Sequence, residues 1–265
     1  MSFPNVIYGD YGDEKKTASS SSGGIGGLPL GTLMVLPDGR KFRHARATSG
    51  STLSAGKLTT QPAVVADHGN VAGSGLVTAA QTVAIGDRSI IVTMGGTTAI
   101  TKDQYKGGFM TVQSGTGAGL VYKVKSNNST AVSTTTTIHL EDNDAIAATI
   151  AAGTTAVALR TNSYDGVTIR PATSAAVGAL LGIPPVEVTA SKYFWVQRGG
   201  ECAGYTAATT IVVGDAVVAS SSVAGAIFAA GVAATASLSL DNVPIGYAMN
   251  GVTATEYASI YLTLE

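Results

Sequence analysis

The chain has 265 residues, only 12% of them charged, and a formal net charge of −1; the charged share is about half the roughly 25% of an average soluble domain, and the neutral balance points away from nucleic acid. A single cysteine, Cys202, excludes an intrachain disulfide and any metal centre built on several thiolates, which leaves it as a small buried side chain. With 33 glycines, 6% aromatics and a positive mean hydropathy, the core falls to Val, Ile, Leu and Ala, and a surface so poor in charge is expected to be covered partly by other chains.

Residues 1–5 lack the basic and apolar blocks of a secretory leader. The longest apolar run, 223–238, is diluted by small and polar residues and is shorter than the roughly 20 residues of a spanning helix, so no membrane contact is expected. Residues 1–16 mix Phe3, Ile7, Tyr8 and Tyr11 with carboxylates and lysines, and 17–27 have the Ser/Gly composition of a linker. Together, 1–27 predict an extended N-terminal arm whose apolar residues dock on a neighbour. From residue 28 strand signals begin. Residues 33–36 and 41–48 flank Pro37-Asp38-Gly39 and predict a hairpin. Residues 69–75 read as loop, and 82–85 and 89–94 as a second hairpin around Gly86-Asp87-Arg88. Thr101 is expected to cap a single helical turn over 101–105. Residues 109–113 and 120–125 flank a glycine-rich turn, and the Thr-rich 132–140 suits an exposed or edge strand. Short strands follow at 157–159 and 167–169.

Gly178, Gly182, Pro184 and Pro185 break the chain and set an expected boundary between a β-rich domain, 28–188, and a smaller barrel or sandwich, 189–265. The last part reads as strands at 193–197, 210–213, 216–218, 226–228, 245–249 and 258–264. Helical periodicity is absent. The fold class is therefore all-β, a short-strand sandwich or barrel with hairpins behind an N-terminal arm.

Two phrases recur. The first is Leu53-Ser54-Ala55-Gly56, returning as Val83-Ala84-Ile85-Gly86, Ile150-Ala151-Ala152-Gly153 and Ile211-Val212-Val213-Gly214. The second is Val188-Thr189-Ala190-Ser191-Lys192-Tyr193, echoed by Val252-Thr253-Ala254-Thr255-Glu256-Tyr257. Both are read as strand–turn–strand units.

Chemistry finds little room. Gly115-Thr116-Gly117-Ala118-Gly119 is followed by an alternating strand rather than the helix a phosphate loop requires, so it reads as a hairpin turn. Glu141-Asp142-Asn143-Asp144 could ligate calcium, but it lacks the spacing of a calcium loop and reads as a solvated turn. His44, His68 and His139 stand far apart with no ligand at metal spacing. Asp67-His68 has no nucleophile elbow to serve; Gly73-Ser74-Gly75 is only a loop. Tyr193-Phe194-Trp195-Val196-Gln197 is a core strand before it is a sugar platform. Arg40, Lys41, Arg43, His44 and Arg46 form the one basic cluster, which suits either an acidic neighbour or a charged edge strand. No cofactor, metal or catalytic residue is expected.

Three segments carry a resemblance: Gly39-Arg40-Lys41-Phe42-Arg43 with Leu53 to Leu58; Tyr105-Lys106-Gly107-Gly108-Phe109 through Tyr122-Lys123-Val124; and Tyr193 to Gln197 through Gly214-Asp215-Ala216-Val217-Val218 to Ile245-Gly246-Tyr247-Ala248. In these the chain resembles the capsid decoration, or cement, and head structural proteins of tailed bacteriophages. The resemblance implies a non-enzymatic virion component, made in the host cytoplasm. It would sit on the outer capsid surface and bridge major capsid protein subunits. The implied partners are the major capsid protein and further copies of itself, as a trimer. Phe3, Ile7, Tyr8, Tyr11, Arg40, Lys41, Arg43 and Arg46 are the expected contact residues. The alternative is a head-fibre or tail adhesin that binds a host receptor or glycan.

Overall fold

Alternating β-branched and small residues, broken every few positions by glycine, leave the backbone extended and turning. The structure, a computed structural model, describes residues 6–19, 24–69, 77–172, 178–207, 210–230 and 243–265, and no α-helix occurs among them. Phe3, the middle of the expected linker (20–23), Gly73-Ser74-Gly75 and most of the apolar run after 230 lie outside the described residues. The chain divides into two bodies: Ala63–Asn162, and Met1–Pro62 with Ser163–Glu265.

The inserted body is a closed antiparallel barrel. Its strands are β5 (Val77–Ala79), β6 (Ser89–Thr93), β7 (Phe109–Val112), β8 (Val121–Asn127), β9 (Thr135–Leu140) and β10 (Ala156–Arg160), in the order β10-β5-β6-β9-β8-β7 and back to β10. Closure leaves no free edge, so β9 is an interior strand and not the edge expected of it. Period-two alternation sends Ile90, Val92, Met110, Tyr122, Val124, Ile138 and Leu159 inward. A bulge in β8 between Val124 and Ser126 shifts this phase and turns the amide of Asn127 into the interior, where it accepts the Tyr105 N–H at 2.8 Å.

The other body is a curled sheet built from β1 (Val6–Tyr8), β2 (Leu33–Val35), β3 (Lys41–Ala47), β4 (Thr59–Thr60), β11 (Asp165–Ile169), β12 (Leu180–Gly182), β13 (Tyr193–Tyr205), β14 (Ala216–Ala219), β15 (Ile227–Ala229), β16 (Gly246–Ala248) and β17 (Tyr257–Thr263). Its order is β12-β4-β11-β3-β13-β17-β16-β14-β15, with β2 on β3 and β1 parallel to β2. β13 buries four consecutive residues, Phe194 to Gln197, which requires cover on both faces. Phe194 and Val196 pack with Ala45, Leu53, Val167 and Val188. Trp195 turns the other way onto Met34, Leu36 and Phe42, under Ile7, Ile25 and Leu28.

The expected boundary at 188 does not coincide with this division: β13 pairs with β3 over Tyr193 to Gly199, so 28–62 and 189–265 share one sheet. The N-terminal segment, over its described part, is not a free arm. β1 pairs with β2, Ala18 bridges Tyr193, and Ile7 closes the Trp195 cluster. An apolar face that needs cover receives it from the nearest amphipathic segment, which belongs to the same chain.

The recurring phrases prove to be halves of one device. Leu53 bridges Val188, Val83 bridges Ile150, Ile100 bridges Thr130 and Ile211 bridges Val252, each as an isolated antiparallel pair. Three residues beyond every one of these eight, φ is positive: at Gly56 and Ser191, Gly86 and Gly153, Asp103 and Ser133, Gly214 and Thr255. Two such pairs fall in each body. The units are thus turns clasped to turns: β6 forms at 89–93 as expected, but its preceding antiparallel partner is β5, and 82–85, expected as that partner, instead form the turn that Val83 clasps to Ile150. The turn over 101–104 belongs to the series and is not a helical turn, because Asp103 inside it has φ 60°; the Thr101 N–H donates to Gln104 Oε1 at 2.9 Å. The expected hairpins β2–β3 and β7–β8 are present.

Candidate functional site

β3 is paired on both edges and is no edge strand. Its basic residues meet carboxylates of their own chain. Just before it, Arg40 Nε lies 2.7 Å from Asp38 Oδ2 and its guanidinium 3.7 Å from the buried Glu14. Arg43 binds the Glu265 side chain and donates to the Gly31 carbonyl at 2.8 Å. Arg46 Nε is 2.5 Å from Asp165, with its guanidinium over the Tyr193 ring. Lys41 is half-buried across from Gly199. Partial burial raises the Glu265 carboxyl, but hydrogen bonds and charge from Arg43 and Arg198 outweigh it and hold the group below the usual carboxylate range. The acidic neighbour expected for this cluster is therefore present within the chain itself.

Of the expected contact residues in the N-terminal segment, Ile7 points inward, while Tyr8 and Tyr11 stand 86% and 64% exposed. Tyr11 tips a turn, Asp10-Tyr11-Gly12-Asp13, in which the Asp10 N–H donates to Asp13 Oδ2 at 2.9 Å and Gly12 has φ 102°. The same clamp recurs twice: Ala84 N–H to Asp87 Oδ2 at 3.0 Å, and Val212 N–H to Asp215 Oδ2 at 2.8 Å. In each, the carboxylate fixes the turn and the residue before glycine is pushed outward; Ile85 and Val213 are 67% and 64% exposed.

A larger exposed surface lies on the outer face of β13, β17 and β16. β17 alternates Ala258, Ile260 and Leu262 into the core against Tyr257, Ser259 and Tyr261 outward. Glu201, Tyr261 and Tyr247 stand opposite one another across the three strands. Tyr205 and Tyr257 form the next aromatic row, ring centroids 5.3 Å apart, with Lys57 Nζ over Tyr205. Tyr247, Tyr257 and Tyr261 are each about half exposed, as is Met249. Ser259 Oγ donates to Glu201 Oε1 at 2.5 Å. A cavity of about 480 Å³ opens between Asp38, Arg40, Gly200, Glu201, Met249 and Tyr261. A second, about 290 Å³, shares Arg40 and Glu201 and reaches Tyr257, Pro184 and Pro185. This face was missed by sequence reasoning. The signal was the Tyr-x-Ser-x-Tyr period of residues 257–261, whose intervening apolar residues mark the opposite side as core.

The remaining candidates are structural. His68 is buried; its Nε2 donates to the Thr98 carbonyl at 2.9 Å and its Nδ1 accepts from the Tyr105 hydroxyl at 2.5 Å, while burial pushes that phenol up. Asp67 turns away to accept from the Thr97 and Thr98 N–H groups at 2.7 and 3.0 Å, so no Asp–His relay forms. The acidic turn after β9 is tied down: Asp142 pairs with Lys125 at 2.6 Å and Asp144 accepts the Lys123 N–H at 2.5 Å. No group of three or more metal-ligating side chains occurs among the described residues. Cys202 is half-buried rather than fully buried as expected, packed against the sheet body's core and lining the smaller cavity; desolvation pushes its thiol up to about 12, which disfavours the reactive thiolate. Among the described residues no helix is long and apolar enough to cross a membrane. Compared with family models, curated proteins and solved structures, the chain matches none.

Proposed function

We propose that the chain is a non-enzymatic virion structural protein, a decoration or cement protein that binds the outer capsid surface, bridges neighbouring major capsid protein subunits and assembles with copies of itself as a trimer. The observation that carries this reading is the repeated clamped turn. Tyr11, Ile85 and Val213 stand outward on rigid tips whose backbone is fixed by Asp13, Asp87 and Asp215. Exposed apolar tips on a charge-poor β surface favour many weak contacts, and a symmetric lattice multiplies these through avidity. The test is addition of the purified chain to heads that lack it. Saturable binding that raises the temperature of DNA release supports the reading; no binding at micromolar concentration rejects it.

A second reading, an adhesin for a host surface, is favoured by one observation: the tyrosines of β16 and β17 share an exposed face beside a cavity. Host adsorption by virions with and without the chain separates the two.

A further inference from the structure

We propose that the outer face of β13, β17 and β16 is a binding site for a neutral oligosaccharide, seated on Tyr261 and Tyr247 and held at its rim by Arg40, Asp38 and Glu201. The inference deepens the adhesin reading and rests on it for its biological role; the chemistry is argued from the face itself.

β17 is paired on both sides along this stretch, by β13 and by β16. An occupant therefore cannot add a strand here and must lie on the side chains. Those side chains are a row of phenol rings on a backbone that cannot shift without breaking two ladders. Exposed rings on a rigid support suit a ligand with a flat apolar face. The polar groups beside them suit a rim of hydroxyls. Glu201 and Asp38 offer carboxylate oxygens that accept, and the Arg40 guanidinium, anchored through its Nε to Asp38 at 2.7 Å, offers its remaining N–H groups as donors. A pyranose combines the two halves, with C–H bonds on its faces and hydroxyls around its edge. Two carboxylates against one guanidinium disfavour a phosphate or sulfate, so the sugar is neutral.

The size fits. The cavity of about 480 Å³ lies within the roughly 300–1,000 Å³ of small-ligand sites. The second cavity continues from the shared Arg40 and Glu201 toward Tyr257, four residues and about 13 Å along the strand from Tyr261. Rings at both ends call for an oligosaccharide rather than a single sugar.

The test is saturation-transfer NMR and calorimetry on the full chain with cellohexaose, maltohexaose, xylohexaose, mannohexaose and chitohexaose. At least one is expected to bind saturably, with transfer strongest to ring protons. Tyr261→Ala and Tyr247→Ala should each weaken it roughly tenfold with unchanged thermal unfolding, since both rings are half exposed. Tyr261→Phe should retain the stacking and Tyr8→Ala should change nothing. Absence of binding to all five, or affinity indifferent to both alanine variants, overturns the proposal. Tyrosine variants that abolish adsorption of virions to host cells while no sugar binds also overturn it, because the adhesin reading then survives with a protein receptor. Loss of sugar binding without loss of adsorption supports the site and rejects the adhesin reading.

Discussion

Two residues show how the sheet body is held. Trp195 is 2% exposed and is covered by the N-terminal segment; truncation to alanine is expected to cost about 3–5 kcal/mol, measured by chemical denaturation. His44 lies on the same side of the sheet. Its Nε2 accepts the Ile25 N–H at 3.3 Å, its Nδ1 donates to the Pro29 carbonyl at 3.2 Å, and it stacks on Tyr193. Burial is the main cause that holds its pKa below the usual 6.5. The unfolded chain takes up this proton near 6.5 and the folded chain only at lower pH. The stability His44 contributes is therefore present above about pH 6.5 and is lost as the pH falls toward the folded value. The carboxylates held low by their partners, Asp38 and Glu265 among them, fail only below the ordinary carboxylate range, roughly pH 4. Melting temperature should thus decline between pH 6.5 and 5 in the native chain, and His44→Gln should flatten that decline; equal slopes would contradict the assignment.

At the scale of the element, the clasped turn depends on a backbone conformation that L residues adopt at a cost. A Cβ at Gly86 or Gly214 meets nothing within 4 Å, but φ is 95° and 89°. Gly86→Ala and Gly214→Ala should each destabilise by about 1 kcal/mol from backbone strain alone. Gly50→Ala, equally open and without positive φ, should not. The same device explains what the sequence made legible. The repeated apolar-x-x-Gly phrase was visible because glycine marks the positive φ. Its pairing with Val188-Thr189-Ala190-Ser191 and Val252-Thr253-Ala254-Thr255 was not, because there serine and threonine carry the strained conformation. The partner also lies far along the chain, as with Leu53 and Val188. Strand positions were readable from alternation, whereas β3 as an interior strand was not, since its arginines mimic a charged edge until Glu14, Asp165 and Glu265 come into place. Likewise the N-terminal segment reads as an arm from composition, and only the uncovered Trp195 face shows where it belongs. Deleting residues 1–19 removes Ile7 and the Ala18–Tyr193 bridge. It should lower the melting temperature by several degrees while the β13–β17 ladder persists in hydrogen exchange; an unchanged melting temperature would restore the free-arm view.

For the whole molecule, the all-β class followed from composition and turn chemistry, while the division into a closed barrel inserted within a sheet body did not. An insertion leaves no compositional seam: the chain leaves the sheet after Pro62 and re-enters at Ser163 through residues as neutral as those around them. Two bodies that repeat one turn device and expose apolar tips are well suited to tile a surface. The proposed decoration role rests on this suitability. It is tested most directly by the copy number of this chain per purified virion, by quantitative mass spectrometry against the major capsid protein. The account predicts a ratio within about an order of magnitude of the capsid protein, in step with a symmetric lattice. A handful of copies per particle, or none, would contradict it.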